Sequence, residues 1–272
     1  MSETSATSEQ TRVSVSVEDH VAEVRLSRPD KHNALDAAMF LGIVDAIEQI
    51  AAAPGVRAVV LHGEGPSFCS GLDVASFMGG PLSTADLLAR DGDRAANLAQ
   101  RVAYDWTQLP MPVIAAVHGC CFGGGLQIAL GADVRIAAHD ASLSVMEIRW
   151  GLVPDMAITQ TLPRLVRMDV AKELVLSGRR VDGEEAARLG LVTRLADDPL
   201  AVARELAHEI AGRSPDAVRA GKRMLRDAWL ADAREALLLE SELQTALIGT
   251  PNQLAAVTAG LTKQPAEFTD LA

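Results

Sequence analysis

Residues 112–131, PVIAAVHGCCFGGGLQIALG, decide the fold. The run from Pro112 to Val117 is wholly apolar and too short for a helix, so it reads as a strand buried on both faces. Gly123, Gly124 and Gly125 then let the chain turn sharply and approach a ligand closely before a short helix over 124–131. Free N–H groups and the positive end of that helix face whatever lies at the turn. Residues 56–73, VRAVVLHGEGPSFCSGLD, repeat the arrangement: a buried strand, then a Gly-rich loop. Two such loops can converge two N–H donors on one oxygen, the requirement for an oxyanion hole. Both can equally be tight strand-to-helix turns.

Outward from these stretches, 12–18 and 20–26 alternate apolar and polar residues and read as paired strands. RPDKHNALD (28–36) is a loop, with Asp36 as N-cap of a helix over 36–52. Residues 83–109 read as helical, with a potential break at Asp91-Gly92, and 134–139 and 141–145 as strands. From about residue 158 the pattern turns helical: 158–177, 183–189, 198–212, 215–229, 232–248 and 251–260. The expectation is a disordered tail (1–11), a core of repeated strand–strand–helix units (12–197) and a helical C-terminal region (198–272).

Composition narrows the function. The 272 residues are 49% hydrophobic and 22% charged, ordinary values for a globular chain. Lys and Arg number 25 against 36 Asp and Glu, a net charge of −11. That balance argues against a general nucleic-acid or membrane-surface binder, which needs a basic face. No apolar run is long enough to span a bilayer. The start, MSETSATSEQT, has neither the basic nor the apolar region of a secretory signal. Cys69, Cys120 and Cys121 are odd in number and lack metal-type spacing, so a reducing, cytoplasmic setting is expected. There is no G-x-G-x-x-G, P-loop, H-E-x-x-H or G-x-S-x-G pattern, so neither a His-based metal site nor a serine hydrolase is expected.

Four linked stretches carry a resemblance. RPDKHNALD (28–36), AVVLHGEGPSFCSGLDV (58–74), PVIAAVHGCCFGGGLQIALGADVRIAA (112–138) and MEIRWGLVPDMAITQTLPRLV (146–166) resemble, in order and separation, the enoyl-CoA hydratase/isomerase (crotonase) family. The resemblance covers roughly residues 12–268. It implies an α/β fold, a spiral of ββα units with a C-terminal helical trimerisation region, assembled as a homotrimer or a dimer of trimers. It implies an acyl-CoA thioester substrate and a stabilised thioester enolate. Coenzyme A is then part of the substrate, and no separate cofactor is implied.

Carried over residue by residue, the resemblance places the oxyanion donors at the backbone amides of Ser70 and Gly124. Lys31, His32, Leu72 and Asp73 fall where the family holds the adenine and pantetheine parts of CoA, and Lys263 at a position that can reach a CoA phosphate. Hydratases of the family use two glutamates; here those positions are Gln127 and Glu147. Gln neither gives nor takes a proton in the relevant range. The loss of one acid/base group is typically worth about 10²–10⁴ in rate, so hydration should suffer.

Asp155, eight residues after Glu147, occupies a place where the dienoyl-CoA isomerase branch carries Asp. That branch also has Asp at the position of Gln127, so the agreement is partial. Double-bond isomerisation of an enoyl- or dienoyl-CoA is therefore the leading expectation, with Glu147, Asp155 and Gln127 as catalytic candidates. The rivals are a hydratase with Gln127 in place of one glutamate and a non-catalytic CoA-binding oligomer. Met146 and Trp150 flank Glu147 and read equally as acyl-pocket lining or as core.

Overall fold

The computed structural model describes residues 11–77 and 83–270; the expected tail lies outside them except for Thr11. Strands β1 (Val13–Glu18) and β2 (Val21–Leu26) form an antiparallel hairpin with Val13 opposite Leu26. Asp19 and His20 turn it at positive φ, which matches the twist of the flanking strands. Helix α1 (Ala37–Ala52) follows, capped by Asp36, whose carboxylate accepts from Met39 N–H. Then come β3 (Ala58–Gly63), α2 (Val74–Phe77), α3 (Thr84–Leu88), α4 (Leu98–Gln108), β4 (Val113–Val117), β5 (Cys120–Phe122) and α5 (Gly124–Leu130). The chain continues through β6 (Val134–Ala137), β7 (Ser142–Ser144), α6 (Ile158–Thr161), α7 (Met168–Ser177), β8 (Val181–Asp182), α8 (Gly183–Leu189) and β9 (Arg194–Leu195). It ends in helices α9 (Pro199–Ala211), α10 (Pro215–Ala228), α11 (Ala233–Leu247) and α12 (Pro251–Thr262).

The larger sheet has the order β1-β2-β3-β4-β6-β9, parallel from β2 onward; β5, β7 and β8 form a second sheet. Side chains alternate across the larger sheet. Val59, Leu61, Val113, Ala115 and Val117 enter one core with α1, α4 and α5. Ala58, Val60, Ile114 and Ala116 point the other way, onto Ala203, Ala207 and Ala211 of α9. Both faces are covered, which is why β3 and β4 read as continuous apolar runs. The small stripe on α9 lets that helix lie close to the sheet.

Several expectations change in detail. The helix expected over 83–109 is two helices, α3 and α4, separated by residues 89–97, where Gly92 takes a left-handed turn. Asn97 then restarts the helix with a reciprocal capping box to Gln100. The segment 158–177 is likewise broken: Pro163 sits in a 3-10 turn, Leu162–Arg164, because it cannot continue an α-helix. Residues 120–122, expected as part of the Gly-rich turn, form β5 in the second sheet. Among the described residues, no helix is long and apolar enough to cross a membrane.

Candidate active site

Three loops meet at the C-terminal ends of β3, β4 and β7. The first, after β2, is tied down by Asn33, which lies fully buried in a left-handed conformation. Its Nδ2 is within hydrogen-bonding reach of Glu64 O (2.9 Å), Ser67 O (2.7 Å) and Phe68 O (3.2 Å), and its Oδ1 accepts from Arg28 N–H. Ser67 Oγ accepts from Cys120 N–H at 3.1 Å and pairs with His32 Nδ1 at 2.8 Å, which joins the second Gly loop to both others. The sequence reading missed Asn33 and Ser67. The available signal was an Asn in a short polar loop, a residue that tolerates the left-handed region.

The second loop corrects one expected oxyanion donor. Ser70 N–H is spent on His32 O at 2.9 Å, so it is not free for a substrate oxygen. Cys69 N–H goes to Cys120 O, Gly71 N–H to the Cys69 sulfur and Asp73 N–H to Leu35 O. That leaves Leu72 N–H, which has no acceptor among the described residues. The reason is the extended pairing of Leu72 with Leu35. Leu35 bonds to the peptide groups of Gly71 and Asp73, so the N–H of Leu72 points to the opposite side.

Gly71 has φ +91, and a Cβ on it would lie 2.7 Å from Phe122 O and 3.6 Å from Gly124 N. The Leu72 segment therefore lies against the start of α5, where Gly124 is the first helical residue and has no intrahelical acceptor. A Cβ on Gly125 would come 2.3 Å from Cys69 O, so the same close approach fixes that glycine, while one on Gly124 would meet the Met156 sulfur at 2.7 Å and Leu35 at 2.9 Å. Gly124 lies at the helix start beside this segment, and Leu72, expected only as a CoA contact, carries the free amide.

The third element is Glu147, at the start of a 3-10 turn (Glu147–Trp150) after β7. Gln127 is buried and donates from Nε2 to Glu147 Oε1 at 2.6 Å, while its Oε1 accepts from Met156 N–H at 2.9 Å. Glu147 Oε2 is buried with no hydrogen-bond partner among the described residues. Burial pushes the Glu147 carboxyl above the ordinary glutamate range, and the charge of Asp155 adds to this; hydrogen bonds from its own backbone and from Gln127 offset part of it. Asp155 stands at an exposed rim, and partial desolvation raises its carboxyl too. Glu147, Gln127 and Asp155 thus share one neighbourhood. Trp150 is 66% exposed, which rules out the core reading for it.

The expected CoA contacts are split. Lys31 and His32 are exposed in the middle of the first loop. Asp73 bonds to Arg28 at 2.8 Å. Burial raises the Asp73 carboxyl, but the Arg28 bond and charge, helped by Lys31, outweigh that and hold it below the usual range. Its carboxylate is therefore a loop clamp. Lys263 caps α12 in the left-handed region, and no described interaction joins it to the Gly loops. His118 Nε2 pairs with Gly65 O at 2.9 Å, a backbone-satisfied histidine.

A model of the enoyl-CoA hydratase/isomerase family matches residues 16–270. The chain belongs to that family and is an enzyme of the hydratase or isomerase type. It is 34% identical to the mitochondrial Delta(3,5)-Delta(2,4)-dienoyl-CoA isomerase of Mus musculus over 221 residues, 76% of this chain and 66% of that one. It is 32% identical to the short-chain-enoyl-CoA hydratase of Clostridium acetobutylicum over 253 residues, 92% of this chain and 95% of that one. The crystal structure of enoyl-CoA hydratase from Bacillus anthracis superimposes with a TM-score of 0.84 at 30% identity, covering 94% of this chain and 98% of that one. The fold is thus the crotonase fold. Relatives of both names occur, so kinship leaves the reaction to be argued from the site.

Proposed function

We propose that the protein shifts a carbon–carbon double bond in an enoyl- or dienoyl-CoA thioester. One observation carries the reading: Glu147 Oε2 is buried and unpartnered, while the opposing position, Gln127, holds an amide whose oxygen is already bonded to Met156 N–H. The site therefore offers one buried base and, among the described residues, no second buried carboxylate to activate water. In the proposed step, Glu147 removes a proton from the carbon beside the thioester. The C–H electron pair becomes a conjugated enolate with its charge on the thioester oxygen, which accepts from Leu72 N–H and Gly124 N–H. Returning the proton further along the chain restores the thioester with the double bond moved. Asp155 is the proposed partner where the receiving carbon lies beyond the reach of Glu147. Raised carboxyl pKa values suit groups that must hold and release a proton in one cycle. The sequence of steps is redox-neutral and adds no water, so it calls for no cofactor.

Product identification with a panel of enoyl- and dienoyl-CoA esters tests this. Double-bond migration is the expected outcome; hydration at enzymatic rates would replace the reading by the hydratase one, and binding without turnover by a CoA-binding oligomer. Gln127→Glu restores a carboxylate pair, whose mutual repulsion keeps a proton on one member. Hydration of a 2-enoyl-CoA is expected to rise in that variant while migration persists, as read from the product ratio.

On the same reading, Lys31, with His32 beside it, and Lys263 take the phosphate end of CoA despite the net charge of −11. Calorimetric affinity for a CoA ester is then expected to weaken as salt rises, because exposed phosphate–lysine attraction is screened. A dissociation constant indifferent to salt would remove the lysines from the site. We also place the protein in a homotrimer or dimer of trimers. Leu225, Trp229, Leu230, Leu237, Leu238 and Leu254 of α10–α12 and the adjoining turn are each more than half exposed in the single chain, an apolar surface suited to subunit packing. Light scattering should return a multiple of three chains; a monomer mass at micromolar concentration would contradict it. The free cysteines, two of them buried, fit a cytoplasmic setting.

A further inference from the structure

A short chain of hydrogen bonds, with its direction fixed at one end, links the segment carrying Asp155 to Glu147. A backbone N–H can only donate, and Met156 N–H lies 2.9 Å from Gln127 Oε1. A carboxamide has one accepting end and one donating end, so this contact forces Nε2 toward Glu147. Nε2 then reaches Glu147 Oε1 at 2.6 Å. Gln127 is 1% exposed and Met156 6%, so solvent does not compete for either bond. Met156 is itself confined: a Cβ on Gly124 would fall 2.7 Å from its sulfur, and Ala157, next in the chain, holds φ 64. The two oxygens of Glu147 are consequently unequal. Oε1 is tied to the amide, and Oε2 is buried with no partner among the described residues.

We propose that Gln127 is a positioning residue: oriented by Met156 N–H, it holds Glu147 by Oε1 and leaves Oε2 as the oxygen that takes and returns the substrate proton. This rests on the isomerase reading and adds the device that aims its base. It also gives the amide at position 127 a task different from holding water. With one lone pair of its oxygen taken by Met156 N–H and one N–H given to Glu147, Gln127 keeps one lone pair and one N–H beyond the bonds that position Glu147. Because Met156 follows Asp155 directly, the same bond ties the segment carrying Asp155 to the residue that holds Glu147.

Gln127→Met, similar in size but unable to bond, tests the assignment. Glu147 is followed in the free protein by difference infrared titration against Glu147→Gln. Loss of an N–H donor to a carboxylate removes stabilisation of the anion, so the midpoint is expected to rise by about one pH unit. The kcat for migration should fall by about 10²-fold, as for a slightly misaimed group, with KM little changed. Gln127→Glu, which keeps an acceptor for Met156 N–H and a protonatable oxygen toward Glu147, should retain migration. Should Gln127→Met fail to fold, the unaltered protein still decides: the side-chain N–H resonances of Gln127 should follow the Glu147 titration with the same midpoint. An unmoved midpoint in a folded Gln127→Met variant, or Gln127 resonances indifferent to that titration, would overturn the proposal. If the parent protein moves no double bond in any ester, the isomerase reading falls, and the titration separately decides whether Gln127 positions Glu147.

Discussion

Glu147→Gln is expected to remove double-bond migration, with a loss of at least about 10²–10⁴ in kcat, the usual worth of a general acid–base group. The substitution keeps the shape and an acceptor for Gln127 Nε2, so the hydrogen bond at 2.6 Å has a neutral successor. What disappears is the proton-carrying oxygen. Full activity in this variant would remove Glu147 from the chemistry altogether. A second readout has the opposite sign. The Glu147 carboxyl is raised in the folded protein, chiefly by burial. An acid with a raised folded-state pKa binds its proton more tightly in the folded chain than in the unfolded one. Its ionised form therefore costs stability, and that cost grows as pH rises from the unfolded value of about 4.3 through the folded value. Glu147→Gln should gain stability relative to the parent toward neutral pH and lose that advantage at about pH 4 and below. Denaturant titrations at the two ends of that range check it; a difference independent of pH would mean that the carboxyl is not perturbed.

Gly71→Ala is expected to be nearly as damaging, by geometry and with no titratable group involved. Its φ of +91 disfavours any L side chain, and the new Cβ would meet the carbonyl oxygen of Phe122 at 2.7 Å, a backbone atom that cannot step aside. Strain of this kind costs about 1–3 kcal/mol. The loop can relieve it only by drawing Leu72 away from α5, which separates the two N–H groups proposed to share the thioester oxygen. One oxyanion donor is typically worth about 10²–10³ in kcat. Ser70→Ala serves as the control: the Ser70 hydroxyl makes only an exposed 3.3 Å contact to Lys31 O, and its amide is engaged with His32 O. Activity should survive there. Equal losses in both variants would show that the loop is merely fragile, and an active, stable Gly71→Ala would contradict the apposition of the loops.

Much of the layout was legible without coordinates because it follows local rules. The apolar runs at 58–61 and 113–117 read as buried strands, and both are strands covered on both faces. Asp36, Asn97 and Pro163 act through their own backbone neighbours, so caps and breaks follow from residue type, although the sequence reading used only the first of these. The family motifs placed Gly124, Gln127 and Glu147 in one neighbourhood despite their separation along the chain. Smaller elements were less visible: β5 is only Cys120–Phe122, and its identity depends on pairing with β7.

The division between Ser70 and Leu72 shows where the sequence runs out. Both lie beside Gly71 in one loop, and nothing in FCSGLD says which N–H is free. The pairing of Leu72 with Leu35 and the carbonyl of His32 decide it, and both come from the distant loop at 28–36. The carboxamide of Gln127 is a second instance. Its residue type determined that position 127 carries no charge, but its direction belongs to Met156, 29 residues away in the chain. The sequence thus determined the layers, the Gly-rich turns and the chemical types gathered at the site. The tertiary structure alone decided which amide stays free and which carboxylate oxygen stays unbonded, because a hydrogen-bonding group is free only when every neighbour in space has found another partner.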